Sequence, residues 1–330
     1  MFPGKKTPFS FTLNLSKFLQ ARLNVLIFRF LPFHTSRLYL LFLGKIYYKF
    51  KKNEYNLIEK TIRFIFEKQL TPKELHKTIT DIFHGIIAHY HEKLFVAYSN
   101  YPLLKKRFLS WVNITGEKEF QTALEKGKGV ILVTAHYGAV EWLPGVLAAR
   151  GYPVTMILRF QTQKLKDSLV SRSSEMKDLH LVDLDEGNVF FTAVNALKSG
   201  RILITECDEF DAWRPSKHIP ITFLNQQMDG DKTLDILRKH SGAAVTTALM
   251  HRNSRKRYTL KLKTLITDDA DKRHVSKLTL GVLDEALHSN PEQWYQWKDL
   301  GEKLELDSKT KVDEEISDYI NSVEKNTISL

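Results

Sequence analysis

Cysteine is almost missing from this chain, with Cys207 the single one in 330 residues. An internal disulfide is therefore excluded, and stability has to come from a packed core. Also missing is any uncharged apolar run of about 18 residues, the length a membrane-spanning helix needs. Arg22 and Arg29 interrupt the first candidate run, and Arg37 and Lys45 bracket the second. No small-residue cleavage site follows a clean apolar core, so the start does not read as a signal peptide. There is no Gly-x-Ser-x-Gly elbow, no Walker loop and no Cys/His zinc spacing. Gly127-Lys-Gly129 precedes a strand pattern instead of following one, which excludes a dinucleotide fingerprint. Asp229-Gly-Asp231 stands just before a helical pattern, where carboxylates cap unpaired N–H groups; capping is preferred there to metal binding. His84, His89 and His91 fall on two faces of a helix and read as polar helix positions, not as a metal site. Cys207 is a poor nucleophile, because Glu206, Asp208 and Glu209 around it disfavour a thiolate.

What is present is a globular composition, 43% hydrophobic and 26% charged, in a chain long enough to bury a substantial core. The net charge of +11 is unevenly placed: residues 1–60 hold eleven Lys or Arg against two Glu, while the remainder is nearly balanced. These basic residues alternate with Leu, Ile, Phe and Tyr, a pattern that favours anionic lipid over nucleic acid as partner. On a helix from about Ser16 to Leu31, Leu19, Leu23, Leu26, Ile27 and Phe30 share one face. After Pro32 a second helix, from about Thr35, collects Arg37, Lys45, Lys49 and Lys52 on a stripe opposite Leu and Phe. Two basic amphipathic helices in succession read as an interfacial anchor that lies on a membrane without crossing it.

Residues 53–126 continue in helical periodicity, with Thr71-Pro72 a capped helix start. From 127 the pattern alternates between strand and helix. Strands are expected over Val130–Ala135, Val154–Arg159, Leu179–Leu184, Ile202–Glu206, Ile219–Leu224, Ala244–Met250 and Tyr258–Leu265. Helices are expected near 163–177, 189–198, 232–240 and 275–289. The expected fold is therefore α/β, a layered sheet flanked by helices and preceded by an N-terminal helical, membrane-associated region. Its divisions are 1–52 (anchor), 53–126 (helices packed on the core), 127–300 (α/β core) and 301–330 (acidic peripheral tail).

The chemistry concentrates at Gly129-Val-Ile-Leu-Val-Thr-Ala-His136-Tyr-Gly-Ala-Val-Glu141-Trp. His136 follows a buried strand and precedes a helical pattern, the position from which α/β folds project functional groups above the sheet. Glu141, five residues on, is expected to fix the imidazole and leave its other nitrogen as a base. The His-x-x-x-x-Glu spacing resembles that of the glycerolipid acyltransferase superfamily. Further stretches narrow the resemblance: Met156-Ile-Leu-Arg159, the acidic turn Glu206-Cys-Asp208-Glu209, Ile221-Thr-Phe-Leu-Asn225, Ser241-Gly-Ala243 and Pro291-Glu-Gln-Trp-Tyr-Gln-Trp297. In that order they are similar to the late, Kdo-dependent lipid A acyltransferases, over about residues 15–297. Thr222 stands where that family usually has Pro, Asn225 where it has Gly, and the basic run expected after the last Trp is absent.

The resemblance implies an O-acyltransferase that moves a fatty acyl chain from acyl carrier protein, or alternatively acyl-CoA, to a hydroxyl of a lipid A precursor or related lipid. It implies work at the cytoplasmic face of the inner membrane, without nucleic acid, cofactor or metal. His136 and Glu141 are the expected catalytic pair, and Arg159, Gly138 and Asp208 the expected substrate-binding residues: Gly138 near the oxyanion, Arg159 on a phosphate. The alternatives are an acyltransferase for another glycolipid or a lysophospholipid, and a catalytically silent lipid-binding protein of the same fold.

Overall fold

A computed structural model describes residues 14–306, apart from 159–162, 177, 184, 186–187, 254–256 and 269. The acidic tail from 307 on lies outside the described residues. Among the described residues six helices come first: α1 (Leu15–Leu19), α2 (Arg22–Phe30), α3 (Phe33–Phe50), α4 (Lys52–Phe66), α5 (Pro72–Tyr98) and α6 (Tyr101–Trp111). Then follow β1 (Val112–Thr115), α7 (Glu117–Leu124), β2 (Val130–Thr134), α8 (Leu143–Ala149), β3 (Val154–Leu158), α9 (Gln163–Ser174), β4 (Leu179–Asp183), α10 (Val189–Lys198) and β5 (Ile202–Glu206). The rest is β6 (Pro215–Phe223), β7 (Gln226–Asp231), α11 (Thr233–Ser241), β8 (Ala244–Arg252), β9 (Tyr258–Ile266), α12 (Val275–Ser289) and α13 (Trp297–Lys303).

Seven strands form one mixed sheet in the order β1-β9-β8-β2-β5-β3-β4, in which β8 and β9 alone pair antiparallel. β2 lies at its centre, and its five residues are all buried, as a strand covered on both faces requires. The expected α/β class is thus present, with each expected strand found to within a few residues. β6 and β7 form a separate hairpin. β7 escaped sequence reading because Gln226-Gln-Met-Asp-Gly-Asp231 has no apolar alternation. Its turn is made by Leu224 and Asn225 at φ 49° and 61°, without the Asn-Gly pair that announces such turns. Asp229 therefore sits in a strand, while the Asp231 carboxylate accepts the N–H of Thr233 at the start of α11, the capping role expected of it.

The N-terminal helices differ from the expected pair. The first breaks at Gln20-Ala21, and Leu15, Leu19, Val25 and Phe28 turn inward. Leu23, Leu26 and Phe30 remain exposed beside Arg22 and Arg29. On α3 the buried stripe is Phe33, Leu40, Leu43, Gly44, Tyr47 and Tyr48. Its outward face mixes Leu38 and Phe42 with Lys45 and Lys49, so apolar and basic residues are neighbours and not opposites. No helix among the described residues is long and apolar enough to cross a membrane.

α5 begins with the expected Thr71 cap, which exchanges hydrogen bonds with Glu74. It then runs 27 residues across to the end of the sheet that carries His136. Gly85 is required on the way: a Cβ there would stand 1.8 Å from the Glu292 carbonyl oxygen. Spacing alone leaves the local structure of Trp294 and Trp297 open. Trp294 proves extended and Trp297 opens α13, with ring centroids 5.0 Å apart and both side chains fully buried. Trp297 also packs on Phe66 of α4. Trp297→Ala should cost about 3–5 kcal/mol, measured by urea denaturation; an unchanged midpoint would refute the packing role.

Candidate active site

Two parallel strands bring the site together. β2 pairs with β5 in a register that sets Thr134 beside Glu206, and the ladder continues through the Cys207 N–H to the Thr134 carbonyl at 2.9 Å. His136 and Asp208 each lie two residues past that pair, so chain direction and register alone place them side by side. Asp208 is fully buried and accepts three hydrogen bonds. The His136 backbone N–H reaches Oδ2 at 2.9 Å, the Trp294 indole N–H reaches the same oxygen at 2.6 Å, and His136 Nδ1 faces Oδ1 at 3.1 Å. Gln296 Nε2 stands 3.0 Å from Nδ1; with the proton on Nδ1 for Asp208, a turned amide that presents its oxygen suits this position better. The other nitrogen, Nε2, lies 3.2 Å from Glu209 and 3.6 Å from Glu206.

This corrects the expected pairing. Asp208, expected on substrate, instead hydrogen-bonds the backbone and ring of His136. Glu141 does not take that part because residues 140–142 form a short 3-10 turn, not the first turn of an α-helix folded back over the ring. The turn aims Glu141 at α5, where its carboxylate meets Lys93 Nζ at 2.9 Å and stands 3.6 Å from His89 Nε2.

Gly138 is corrected as well. Its φ of +58° and the 1.9 Å that would separate a Cβ from the Met250 carbonyl explain the glycine. Its N–H, however, donates to the Gln293 carbonyl at 2.6 Å, and the next N–H, of Ala139, donates to Met250 at 2.9 Å. Neither can meet an oxyanion. The Gly138 carbonyl accepts from Arg252, whose guanidinium also binds Glu92 of α5 through both carboxylate oxygens. The Pro291-to-Trp297 stretch braces the same turn: Trp294 bridges to Tyr137, and the Tyr295 N–H donates to the His136 carbonyl at 3.3 Å. Arg159 lies outside the described residues.

Burial by itself would lower the pKa of His136. The Glu206, Asp208 and Glu209 charges outweigh that and raise it to about 10. Burial raises Glu206 to about 7, against the pull of the His136 charge. One proton therefore rests on Nε2 at neutral pH, held among carboxylates. Among the described residues, His136, Glu206 and Glu209 also present ligand atoms within 4.8 Å of one another, close enough to share a cation in place of that proton.

A base locked by a buried carboxylate, with its second nitrogen turned toward the partly exposed Glu209, suits proton removal from a hydroxyl. A family model described as bacterial lipid A biosynthesis acyltransferase matches residues 3–298. Among curated proteins, none matches the chain.

Proposed function

The chain belongs to the bacterial lipid A biosynthesis acyltransferase family, which makes it an O-acyltransferase, and from that premise we propose a direct transfer in which His136 is the general base. The donor is an acyl-carrier-protein thioester and the acceptor a hydroxyl of a lipid A precursor. The observation that carries this reading is the His136–Asp208 pair at the ends of β2 and β5. As the hydroxyl oxygen attacks the thioester carbonyl, its proton passes to His136 Nε2 and the carbonyl electron pair moves onto oxygen. Collapse restores the carbonyl, breaks the C–S bond, and returns the proton from Nε2 to the leaving thiolate. No enzyme-bound acyl group is formed, and Asp208 steadies the imidazolium throughout. The test follows labelled acyl chains from carrier protein, and separately from coenzyme A, into a hydroxyl-bearing lipid A precursor in the presence of EDTA. Label transfer from carrier protein is expected. Transfer from coenzyme A alone would reverse the donor assignment, and loss on chelation would assign His136, Glu206 and Glu209 to a cation.

The reading includes a place on the cytoplasmic face of the inner membrane. It is supported by the exposed Leu23, Leu26, Phe30, Leu38, Phe42 and Phe50 beside Arg22, Arg29, Lys45 and Lys49. Such a mixture suits the boundary between acyl chains and anionic headgroups. Deleting residues 1–52 would remove Leu15, Leu19, Leu40 and Tyr47 from the core, so surface substitution is the cleaner experiment. Exchanging Leu23, Leu26 and Phe30 for serine should weaken flotation with phosphatidylglycerol vesicles about 10²-fold, from about 3 kcal/mol of lost partial burial. Unchanged flotation would sink this anchor.

A further inference from the structure

Glu141 is left without the role its spacing suggests, and the proposed reaction is left without a group to meet the oxyanion. One arrangement fills both places. Gly85, His89, Glu92 and Lys93 lie at helical spacing on the side of α5 that faces the active-site loops. Gly85 gives the close approach to Glu292, and Glu92 grips Arg252. His89 stacks on Tyr295 with ring centroids 3.7 Å apart, and Tyr295 meets the His136 ring edge-on at 4.7 Å. Beside them Lys93 is held by Glu141 at 2.9 Å, in a pair that is mostly buried yet not sealed, with side-chain exposures of 17% and 20%.

We infer that Lys93 is a further catalytic residue, donating a hydrogen bond from its ammonium to the oxygen of the thioester carbonyl as it becomes an oxyanion, and that Glu141 is the positioning residue that holds it there. This rests on His136 acting as the base. An ammonium has three donors and Glu141 takes one, which leaves capacity for a ligand. A cation fixed in advance near a low-dielectric site stabilises charge that develops only in the transition state. Lys93 stays protonated throughout: it moves no proton, and the atoms balance as in the transfer described above. Although burial opposes its charge, Glu141, Glu206 and Glu209 keep its pKa raised, so the same carboxylates that surround His136 Nε2 act on it. His89 is pushed far below its usual range, first by burial and then by the Lys93 charge. It therefore stands as a neutral ring against Glu141 and does not compete with the lysine for that carboxylate. Its buried Nδ1 has no partner among the described residues, which marks it as a spacer between Tyr295 and Glu141 and not a proton carrier.

The experiment measures kcat and KM for labelled acyl transfer from acyl carrier protein in Lys93→Met, Lys93→Arg, Glu141→Gln and the double variant Lys93→Met/Glu141→Gln, with His136→Ala as control. Lys93→Met should lower kcat about 10²- to 10³-fold with KM nearly unchanged, the loss expected for one oxyanion donor. Lys93→Arg keeps the charge and the pair and should stay within about tenfold of wild type, while Glu141→Gln should fall between the two. The double variant decides between chemistry and structure. If Lys93→Met fails only because it strands a buried carboxylate, removing that charge should restore activity; if the ammonium acts on the substrate, the double variant should stay as slow as Lys93→Met. Restoration in the double variant, or a rise in KM with kcat intact, overturns the inference, and so does equal loss in Lys93→Arg and Lys93→Met. Failure of the base assignment is separately visible as activity surviving in His136→Ala.

Discussion

Replacing His136 with alanine should slow acyl transfer about 10²- to 10⁴-fold, with KM for the carrier-protein thioester little changed. The side chain is almost wholly buried, but the turn it leaves behind is held by backbone bonds from Gly138 to Gln293, from Ala139 to Met250 and from Tyr295 to residue 136. The variant should therefore fold, and its near-UV circular dichroism should match wild type. The pH profile of the wild-type enzyme carries the complementary result. Only the form with Nε2 unprotonated can take the hydroxyl proton, so kcat/KM reports that fraction in the free enzyme. For a histidine near its ordinary value of about 6.5 the rate would level off just above neutrality. Here Glu206, Asp208 and Glu209, acting against burial, move the pKa to about 10. The rising limb should therefore extend well above pH 7, with activity increasing about tenfold per pH unit while the protonated form dominates. Glu206→Gln removes one of the raising charges and should move the limb to lower pH. A wild-type profile flat from pH 7 to 9 would show that the carboxylates do not raise the imidazole, and transfer preserved in His136→Ala would remove it from the proposed chemistry.

How far the site could be read from sequence depends on which contacts the chain pattern encodes. Buried strands announce themselves locally, and Val130–Thr134 ending at His136 was visible for that reason. So was Ile202–Glu206 ending at an acidic turn. That the two strands are parallel neighbours with Thr134 opposite Glu206 is a property of the sheet order, which no local pattern carries. Hence the acidic turn is legible in the sequence, while the contact of Asp208 with His136 is not. For Glu141 the reason differs: five residues of separation suggest reach to the imidazole, but a 3-10 turn instead of an α-helix rotates the side chain toward α5. α5 itself read as packing because its stripe of Gly85, His89, Glu92 and Lys93 is polar only where it meets loops from three other regions, around residues 138–141, 252 and 292–295. Pro291-Glu-Gln-Trp294 stands out by resemblance alone; its physical purpose, an indole N–H for Asp208 and backbone bonds that brace the His136 turn, lies in contacts far apart in the chain. The basic N-terminal segment shows the reverse case. Its composition was plain, but the choice of which apolar residues face inward was set by packing against the rest of the core, which leaves Leu23, Leu26 and Phe30 outside and takes Val25 and Phe28 in.

Asp208→Asn should be nearly as damaging as the loss of His136 itself, about 10³- to 10⁴-fold in kcat, because it delivers the wrong tautomer and not merely one charge fewer. Asp208 is an acceptor at both oxygens: Oδ2 receives the His136 backbone N–H and the Trp294 indole N–H, and Oδ1 receives the His136 ring. An asparagine must put an NH2 group at one of the two places. At the Oδ2 position it would confront two fixed N–H donors at once, both buried, each costing about 1–3 kcal/mol if left unpaired. At the Oδ1 position it faces only the imidazole, which can answer by moving its proton from Nδ1 to Nε2. The second arrangement is the less costly one, so the amide should settle there and Nε2 should carry the proton in the neutral ring. A base in that state cannot accept the hydroxyl proton. Nitrogen NMR of the labelled imidazole should then show Nε2–H in the neutral variant and Nδ1–H in neutral wild type, with the Trp294 N–H signal preserved in both. If Asp208→Asn keeps kcat within about tenfold of wild type while the tautomer has switched, proton transfer to Nε2 is not the step that limits the rate. If the tautomer has not switched, the indole bond is the one that gave way, and a disturbed Trp294 signal with lowered stability is the expected sign.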